Sequence, residues 1–334
     1  MARSGRRGSL GVDRKLTPTA VFELLPAAYH KISGLWRGLD SHLAISSIIA
    51  GRAPGRIVVD DPVRPTAGLI WDRKIIFFVG GNAAVGGSAA ADGNAAAGGN
   101  AAAGGNAAGL GGVALRAFLA ALGGEIDYAA AEVGARYSRW FRVVCPSGWE
   151  PLVEESLRPF APRRARRVLC AYRRRGPRLD WRAMLPPGFR LVEVDDTLLN
   201  RAEIAGLAGL REEILGAWRG LEVFLRYGFG FAVLDGDSLA AWCLSEFNSP
   251  GRVGSSGPRC EVGVETLPPY QGRGLGTCVV SAFIERCLAS GVTPFWHSAA
   301  GNAASLALAE KVGFERAGEY GVLRLFHGEP LTSR

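Results

Sequence analysis

The sequence predicts an α+β protein in which a smaller α+β domain precedes a C-terminal domain with a mixed central sheet flanked by helices. Three observations predict this class. The 334 residues are 48% apolar, which is enough to fill two cores. From residue 188 onward, strand-like and helical stretches alternate. Before that point, three short strand-like stretches are separated by turns that contain Pro and Asp.

The N-terminal domain is expected over residues 19–157, after a basic flexible tail at 1–18. Short apolar runs predict its strands, and apolar residues at helical spacing predict its helices. The strands are expected at 56–60, 67–71, 74–79 and 140–145, and the helices at 19–39 (broken at Pro26), 113–122 and 151–157. This mixture of elements gives an α+β domain.

A low-complexity segment at 80–112 interrupts this domain. It is an imperfect six-residue repeat of Gly, Asn and Ala with almost no large apolar side chain. Burial of such a segment cannot offset the entropy lost on ordering its glycines, so we expect a disordered insertion. A hexapeptide β-helix is disfavoured because each coil of that fold needs an aliphatic residue in its core.

An arginine-rich segment follows the N-terminal domain. Residues 158–178 carry nine arginines and no acid, whereas the whole chain has a net charge of +8, so the positive charge is local. We interpret 158–187 as a linker that contains a solvated strand. The alternative is a phosphate-binding patch for nucleic acid or a phosphorylated cofactor. Pro186 and Pro187 mark the boundary to the C-terminal domain, residues 188–330.

The elements of the C-terminal domain follow one another with short connections. Strands are expected at 189–194, 229–234, 239–247, 260–267, 294–297 and 319–326, and helices at 197–210, 212–225, 276–290 and 302–312. The turn at Asp235-Gly236-Asp237 predicts a hairpin between the second and third of these strands.

A glycine-rich turn between a strand and a helix is the most informative motif. The strand leads through Pro268 and Pro269 into the run QGRGLG, residues 271–276, and the helix begins at once. The glycines allow the main chain to approach a ligand, and the unpaired N–H groups of the new helix suit a pyrophosphate. The spacing is not that of a dinucleotide-binding fingerprint, and no Gly-Lys-Ser/Thr completes a P-loop. A purely structural turn is the alternative.

A wider pattern resembles a known family. The run VETLPPYQGRGLG, residues 264–276, is followed by NAASLALAEKVGF, residues 302–314. Over 188–327, both runs and the order of the elements resemble the GNAT superfamily of acyl-CoA-dependent N-acetyltransferases. The runs at 224–234 and 295–314 resemble the GNAT subgroup that includes zwittermicin A resistance protein.

The resemblance implies a role for each matching residue in binding acetyl-CoA as a co-substrate. The loop that holds the CoA pyrophosphate matches Gln271, Gly272, Arg273, Gly274, Leu275, Gly276 and Thr277. The strand whose main chain pairs with the pantetheine arm matches Val264, Glu265 and Thr266. Asn302 matches an asparagine that touches the pantetheine.

The proton-transfer residues are less clearly marked. Many GNAT enzymes have a tyrosine where this chain has Ala309, so the usual acid for the thiolate is missing. Tyr320, Ser305 and His297 are candidates to replace it, although a packed tyrosine or histidine is the alternative for each ring. The candidates for the general base are Glu246, Glu265 and Glu261, with water as the remaining choice.

The expected function is therefore acetyl-CoA-dependent transfer of an acetyl group by direct attack of a primary amine, most plausibly on a small molecule. The alternative is a non-catalytic acyl-CoA-binding or nucleic-acid-associated module. Nucleic acid is disfavoured as a partner, no metal site is expected, and a homodimer is compatible with the sequence.

The cellular setting is predicted from the cysteines and the apolar runs. Six cysteines stand far apart without a CxxC pair, which favours reduced thiols in the cytoplasm. No apolar run is long enough to span a membrane, and the basic N-terminus lacks the apolar core of a signal peptide.

Overall fold

The computed structural model describes residues 21–32, 34–82, 115–133, 140–173, 178–249 and 257–327. Within these residues, twelve strands form one continuous sheet. The six strands of the N-terminal half are β1 (Phe22–Glu23), β2 (Arg56–Val59), β3 (Ala67–Trp71), β4 (Ile76–Gly81), β5 (Trp140–Val144) and β6 (Arg163–Tyr172). The six strands of the C-terminal half are β7 (Phe189–Glu193), β8 (Gly230–Asp235), β9 (Ser238–Ser249), β10 (Arg259–Thr266), β11 (Thr293–Ala299) and β12 (Phe314–Phe326).

Nine α-helices with described bounds flank the sheet. They are α1 (Leu43–Ile49), α2 (Leu122–Val133), α3 (Glu150–Ser156), α4 (Trp181–Met184), α5 (Asp196–Leu199), α6 (Leu207–Ala217), α7 (Leu221–Tyr227), α8 (Leu275–Ala289) and α9 (Ala303–Val312). Residues 115–120, just before α2, are also helical. Short 3-10 helices lie at Pro26–Ile32, Arg158–Phe160 and Pro268–Tyr270.

The two halves repeat one arrangement and exchange their last strands. The strands lie in the order β1-β2-β3-β4-β5-β12-β6-β11-β10-β9-β8-β7. Each half has a parallel pair, β4 with β5 and β10 with β11, and the other neighbours are antiparallel. The last strand of the N-terminal half, β6, lies between β11 and β12, and the last strand of the C-terminal half, β12, lies between β5 and β6. Each half therefore completes the sheet of the other.

The arginine-rich segment is a central strand, and this corrects the expectation of a linker at 158–187. Strand β6 pairs with both β11 and β12. Its arginines are also largely partnered: Arg164 pairs with Glu154, and Arg166 donates to Glu319 at 2.8 Å. Exposure alternates from Arg164 to Cys170, with exposed Arg164 and Arg166 followed by buried Val168 and Cys170, as expected for a strand whose successive side chains point to opposite faces.

The core is divided between the two faces of the sheet. On one face, α1, α6 and α7 cover a cluster that includes the buried Trp36 and Trp218. On the other face, α2 and α3 cover the N-terminal strands around Phe141, and α8 and α9 cover the C-terminal strands around Phe283. Because both halves share the first cluster, burial of apolar area on this face stabilises them together.

The α+β class with a mixed sheet flanked by helices is confirmed, and several element assignments are corrected. The helix expected at 19–39 is replaced by β1 and the 3-10 helix Pro26–Ile32, because Pro26 cannot continue a helix from preceding residues. Helix 197–210 divides into α5 and α6, with Gly206 at a φ of 86° before α6. Helices α1 and α2 are not predicted from the sequence.

Some expectations fall outside the described residues or concern general properties. The basic tail at 1–18 and residues 83–112 of the low-complexity segment lie outside the described residues. All six cysteines are buried, and none forms a disulfide bond. Of the helices that the structure describes, none combines the length and the apolar character needed to cross a bilayer.

Candidate active site

The parallel pair β10–β11 opens towards the C-terminal end of β10. The two strands pair only over the first three residues of each, as far as Glu261 beside Phe295. From Phe295 to Ala299, β11 pairs with β6. Residues 262–266 of β10 have no strand partner on that side among the described residues, so their main-chain groups face the opening.

The glycine-rich loop lies directly after this free edge. Gly272 and Gly274 have φ values of 77° and 80°, in the left-handed region that favours glycine. No heavy atom lies within 4 Å of the position that a Cβ would take at either residue, so the loop is open on its outer side. The side chain of Gln271 donates to the carbonyl oxygen of Thr266 at 3.1 Å and holds the loop against β10.

Helix α8 begins at Leu275 and extends for 15 residues, with Gly274 at its N-cap and no side chain capping it. Its first N–H groups therefore point to the open side of the loop. Together with the positive end of the helix dipole, they suit the diphosphate of an acyl-CoA. Gly276 is packed more closely, since a Cβ there would lie 3.2 Å from Thr266 Oγ1.

Asn302 caps the next helix. Its Oδ1 accepts a hydrogen bond from the main-chain N–H of Ser305 at 3.1 Å, which begins α9. Ser305 Oγ in turn accepts from Trp296 Nε1 at 3.0 Å. These bonds fix the start of α9 beside β11.

A cavity of about 260 Å³ lies over the middle of the sheet, on the face that α1 covers. Both halves contribute to its wall, and the cavity reaches Val264 on the free edge of β10. Its charged and polar lining residues are His42, Arg142, Arg167, Glu246, Glu261, His297, Ser305 and Tyr320. The cavity thus joins the opening beside β10 to a set of ionisable groups.

A β-bulge brings two of the carboxyl groups to this cavity. Between the pairs Cys260–Asn248 and Val262–Ser245, β9 has one residue more than β10. Glu246 and Phe247 therefore both oppose Glu261, and all three line the cavity.

Both carboxyl groups are held in a poorly solvated position. Burial, with the carboxylates of Glu261 and Glu213, raises the pKa of Glu246 to about 7, against the opposing effect of Lys74 and Arg142. Burial also raises the pKa of Glu261, against the lowering effect of Arg167 and Arg142. A carboxyl group with such a pKa can accept a proton near neutral pH.

Tyr320 is held by two polar contacts at the floor of the cavity. Its hydroxyl oxygen accepts from Arg167 Nε at 3.1 Å and lies 2.9 Å from His297 Nδ1. The ring of His42 meets that of Tyr320 edge-on, with 4.8 Å between centroids. Burial raises the pKa of Tyr320, so its phenol keeps its proton well above neutral pH.

The structure brings together most of the predicted proton-transfer candidates. Glu246, Glu261, His297, Ser305 and Tyr320 all line the cavity, whereas the side chain of Glu265 is exposed and does not.

Sequence reasoning missed three lining residues: His42, Arg142 and Arg167. Arg142 carries a usable signal, because a charged residue stands alone inside the apolar run WFRVVC. Arg167 belongs to the arginine-rich segment, and nothing in the sequence near His42 marks it.

The comparisons with known proteins agree with this fold. The model of the GNAT acetyltransferase family matches residues 114–323, more than half of the chain. This protein therefore belongs to the GNAT acetyltransferase family. A Bacillus subtilis (strain 168) protein described as the uncharacterized N-acetyltransferase YdfB is 34% identical over 136 residues. That match covers 41% of this chain and spans about half (48%) of the relative.

Solved structures share the fold at low sequence identity. A GCN5-related N-acetyltransferase-like protein from Streptococcus suis 89/1591 has a TM-score of 0.57 at 18% identity, covering 90% of this chain and 98% of the other. A GCN5-related N-acetyltransferase from Sphaerobacter thermophilus has a TM-score of 0.51 at 13% identity, covering 94% and 98%. A tandem GNAT protein from the clavulanic acid biosynthesis pathway has a TM-score of 0.51 at 12% identity, covering 93% and 99%.

Proposed function

We propose that this protein is an acetyl-CoA-dependent N-acetyltransferase that acts on a primary amine of a small molecule. One observation carries the proposal: a single cavity contains the Glu246–Glu261 pair and reaches the free edge of β10, directly before an open glycine-rich helix start. An amine acceptor, a proton acceptor and a bound acyl carrier could meet there.

The residues present fit acetyl-CoA. The main-chain N–H groups around Gly272 and Gly274 and the start of α8 would hold the diphosphate, and the free edge at 262–266 would hold the pantetheine arm. When bound, acetyl-CoA supplies an acetyl group activated as a thioester.

Glu246 acts as the general base in this proposal, with Glu261 beside it. A primary amine is largely an ammonium ion at neutral pH, and it becomes nucleophilic when Glu246 accepts one of its protons, directly or through water. The amine nitrogen then bonds to the acetyl carbon while the carbon–sulfur bond breaks. No covalent bond to the protein is needed, because positioning and polarisation suffice for a thioester.

Tyr320 is the candidate acid for the departing thiolate. Its hydroxyl lies in the same cavity, and the raised pKa keeps its proton available. Arg167 donates to that hydroxyl oxygen and would stabilise negative charge that develops on it. This assignment would replace the tyrosine that is absent at Ala309.

Thiol release from acetyl-CoA over a panel of small amines tests the proposal. We expect turnover by the wild type and a loss of kcat of about 100-fold or more in Glu246→Gln, as for other general bases. Glu193→Gln, an exposed glutamate on β7, is the matched control and should keep the wild-type rate. If Glu265→Gln lost activity and Glu246→Gln did not, the base would be Glu265. If no amine led to thiol release, the proposed N-acetyltransferase activity would be contradicted.

The resemblance to the subgroup that includes zwittermicin A resistance protein stays a prediction. So does the small-molecule acceptor, which the limited volume of the cavity favours, since about 260 Å³ is below the usual range for drug-sized ligands. The alternative of a nucleic-acid-associated module is weakened by the ion pairs of Arg164 and Arg166.

A further inference from the structure

We infer that the acceptor of this N-acetyltransferase carries a carboxylate besides its amine, and that Arg142 and Arg167 bind this carboxylate in the cavity. The inference rests on the proposed function, since it names the class of substrate that the same cavity takes. It starts from the guanidinium groups of Arg142 and Arg167 in the cavity wall, neither of which is needed to remove a proton from the acceptor amine.

Arg142 and Arg167 come from the two exchanged parts of the sheet. Arg142 lies on β5 and Arg167 on β6, with β12 between these strands, and both line the cavity. The charges are near enough to affect each other, because Arg167 lowers the pKa of Arg142. Two guanidinium groups on either side of one strand can share a single anion.

Neither guanidinium is neutralised by an ion pair within the described ranges. Arg167 Nε donates to the neutral hydroxyl of Tyr320. Asp72, a buried carboxylate of the N-terminal half that acts on Arg142, accepts with one oxygen from the main-chain N–H groups of Lys74 and Ile76, both at 2.9 Å. No ion pair in direct contact joins Arg142 to another described residue. The carboxylates of Asp72 and Glu261 lie near enough to raise its pKa, but burial and Arg167 outweigh them and the pKa of Arg142 is lowered.

The pKa values of two neighbouring histidines also respond to the positive charges of the arginines. His42 and His297 line the cavity beside the arginines. Burial, the neighbouring His297 and the positive charges of Arg167 and Arg142 together lower the pKa of His42 to about 3. Burial and the same two arginines lower the pKa of His297 to about 4. Both imidazoles are therefore neutral at pH 7, so the positive charge in the cavity lining is that of the two guanidinium groups.

The two carboxyl groups in the cavity lining account for the amine. Glu246 and Glu261 lie across the β-bulge, where an ammonium group would meet carboxyl oxygens. A molecule with one ammonium and one carboxylate is neutral overall and places each charge beside its opposite. A phosphate would bring a second negative charge close to two glutamates, so the arrangement favours a carboxylate.

The cavity volume limits the size of this acceptor. About 260 Å³ accommodates a free amino acid or a molecule of similar size rather than a peptide segment. The class is therefore that of small amino carboxylic acids.

Matched acceptors test the inference directly. Each free amino acid of a panel is compared with its primary amide and with the amine that lacks the carboxyl group, and kcat/KM is measured by thiol release. We expect at least one acid to exceed its amide and its amine by about tenfold or more, the usual effect of a charge-assisted pair. Equal kcat/KM for the three forms throughout the panel would overturn the inference and leave the N-acetyltransferase standing.

Variants assign the preference to the arginines. In Arg142→Gln, the ratio of kcat/KM for acid over amide should fall towards one, mainly through KM, and Arg142→Lys should retain part of it. The control is Arg324→Gln, since Arg324 pairs with Arg142 in register, is exposed over the ring of Trp140 and does not line the cavity. An unchanged ratio in Arg142→Gln, with a wild-type melting temperature, would contradict the assignment.

Calorimetry separates this inference from turnover. Each free amino acid of the panel is titrated into the protein, whether or not it is acetylated. At least one should bind with a Kd that weakens about tenfold or more in Arg142→Gln and stays unchanged in Arg324→Gln. If no amine is acetylated but this binding is seen, the proposed function fails and the carboxylate site stands. If O-phosphoethanolamine is a better acceptor than β-alanine, the arginines bind a phosphate group, and the inference of a carboxylate-bearing acceptor is wrong.

Discussion

The carboxyl group of Glu246 occupies the space that a side chain on Gly263 would need, because a Cβ at Gly263 would overlap with Glu246 Oε1. Gly263 lies between Glu261 and Glu265 on β10, and only a residue without a side chain leaves this space. We predict that Gly263→Ala displaces Glu246 and lowers kcat about tenfold or more, since small misplacements of a reacting group are costly.

The control for this variant is another strand glycine. A Cβ at Gly318, on β12, meets no heavy atom within 4 Å, so Gly318→Ala should keep the wild-type kcat. The measurement is thiol release under saturating acetyl-CoA, with the melting temperature of each variant. Equal kcat for both variants would show that the position of Glu246 does not matter.

The neighbouring carboxyl groups of Glu246 and Glu261 predict a pH dependence of kcat/KM. The base must be ionised, so activity should rise with pH through the raised pKa of Glu246, about 7. In Glu261→Gln a neighbouring negative charge is removed, so the pKa of Glu246 falls and the midpoint of the rise moves to lower pH. The groups that act on Glu246 besides burial are Glu261, Glu213, Lys74 and Arg142.

The pH profile also tells the two glutamates apart. In Glu246→Gln the rise near neutral pH should disappear together with most of the activity. A midpoint that is unchanged in Glu261→Gln and a rise that persists in Glu246→Gln would together contradict Glu246 as the base.

The same raised pKa predicts an effect on stability. Between the pKa of an unfolded glutamate, about 4.3, and that of folded Glu246, the folded state binds more protons, so this group lowers stability as pH rises through that window. Glu246→Gln removes this loss. We expect the free energy of unfolding of the variant, relative to wild type, to be larger at pH 8 than at pH 4.5 by on the order of 1 kcal/mol or more. Denaturant unfolding at the two pH values measures it, and the opposite order would contradict the shift.

Gly274→Glu should abolish binding of acetyl-CoA. The new side chain would fill the open side of the loop and place a negative charge beside the diphosphate. Because φ at Gly274 is 80°, any side chain also adds strain, so the control is Gly236→Glu in the β8–β9 turn, where φ is 56° and the space is equally open. Calorimetry should show binding by the control alone. Binding by Gly274→Glu would mean that the loop does not hold the cofactor.

The exchanged strands predict that a cut chain stays together. A protease site placed within 174–177 would separate the halves covalently after cleavage. Ten residue pairs between β6 and β12 would remain, so the two fragments should elute together at the size of the intact protein. Elution of two separate fragments without denaturant would contradict the exchange.

The sequence predicts the C-terminal half well because its signals are local. Alternating strands and helices, the turn at Gly236 and the run from Pro268 to Gly276 all depend on neighbouring residues. The helix that follows the glycine-rich loop is predicted at 276–290 and found at Leu275–Ala289.

The strand exchange and the cavity depend on distant pairing, which no local pattern encodes. Arg167 is read as part of a linker because its ten-residue strand finds its partners at β11 and β12, more than a hundred residues away. The same holds for His42 and Arg142, whose side chains reach the C-terminal half only after the sheet has formed. Glu246 is predicted as a candidate, but the β-bulge that turns it to Glu261 is not.

The N-terminal half differs from the C-terminal half around its own parallel strand pair, β4 and β5. Trp36 covers the end of its parallel strand pair and donates from Nε1 to the carbonyl oxygen of Phe78 at 3.2 Å. Its connection from β4 to α2 contains the low-complexity segment at the place where the C-terminal half has the glycine-rich loop. This half contributes a wall of the cavity instead.

The exchange of β6 and β12 also has a consequence for the evolution of the two halves. Neither half can be lost, replaced or transferred by recombination without removing a central strand from the other. The gene is constrained to pass on both halves as one heritable unit.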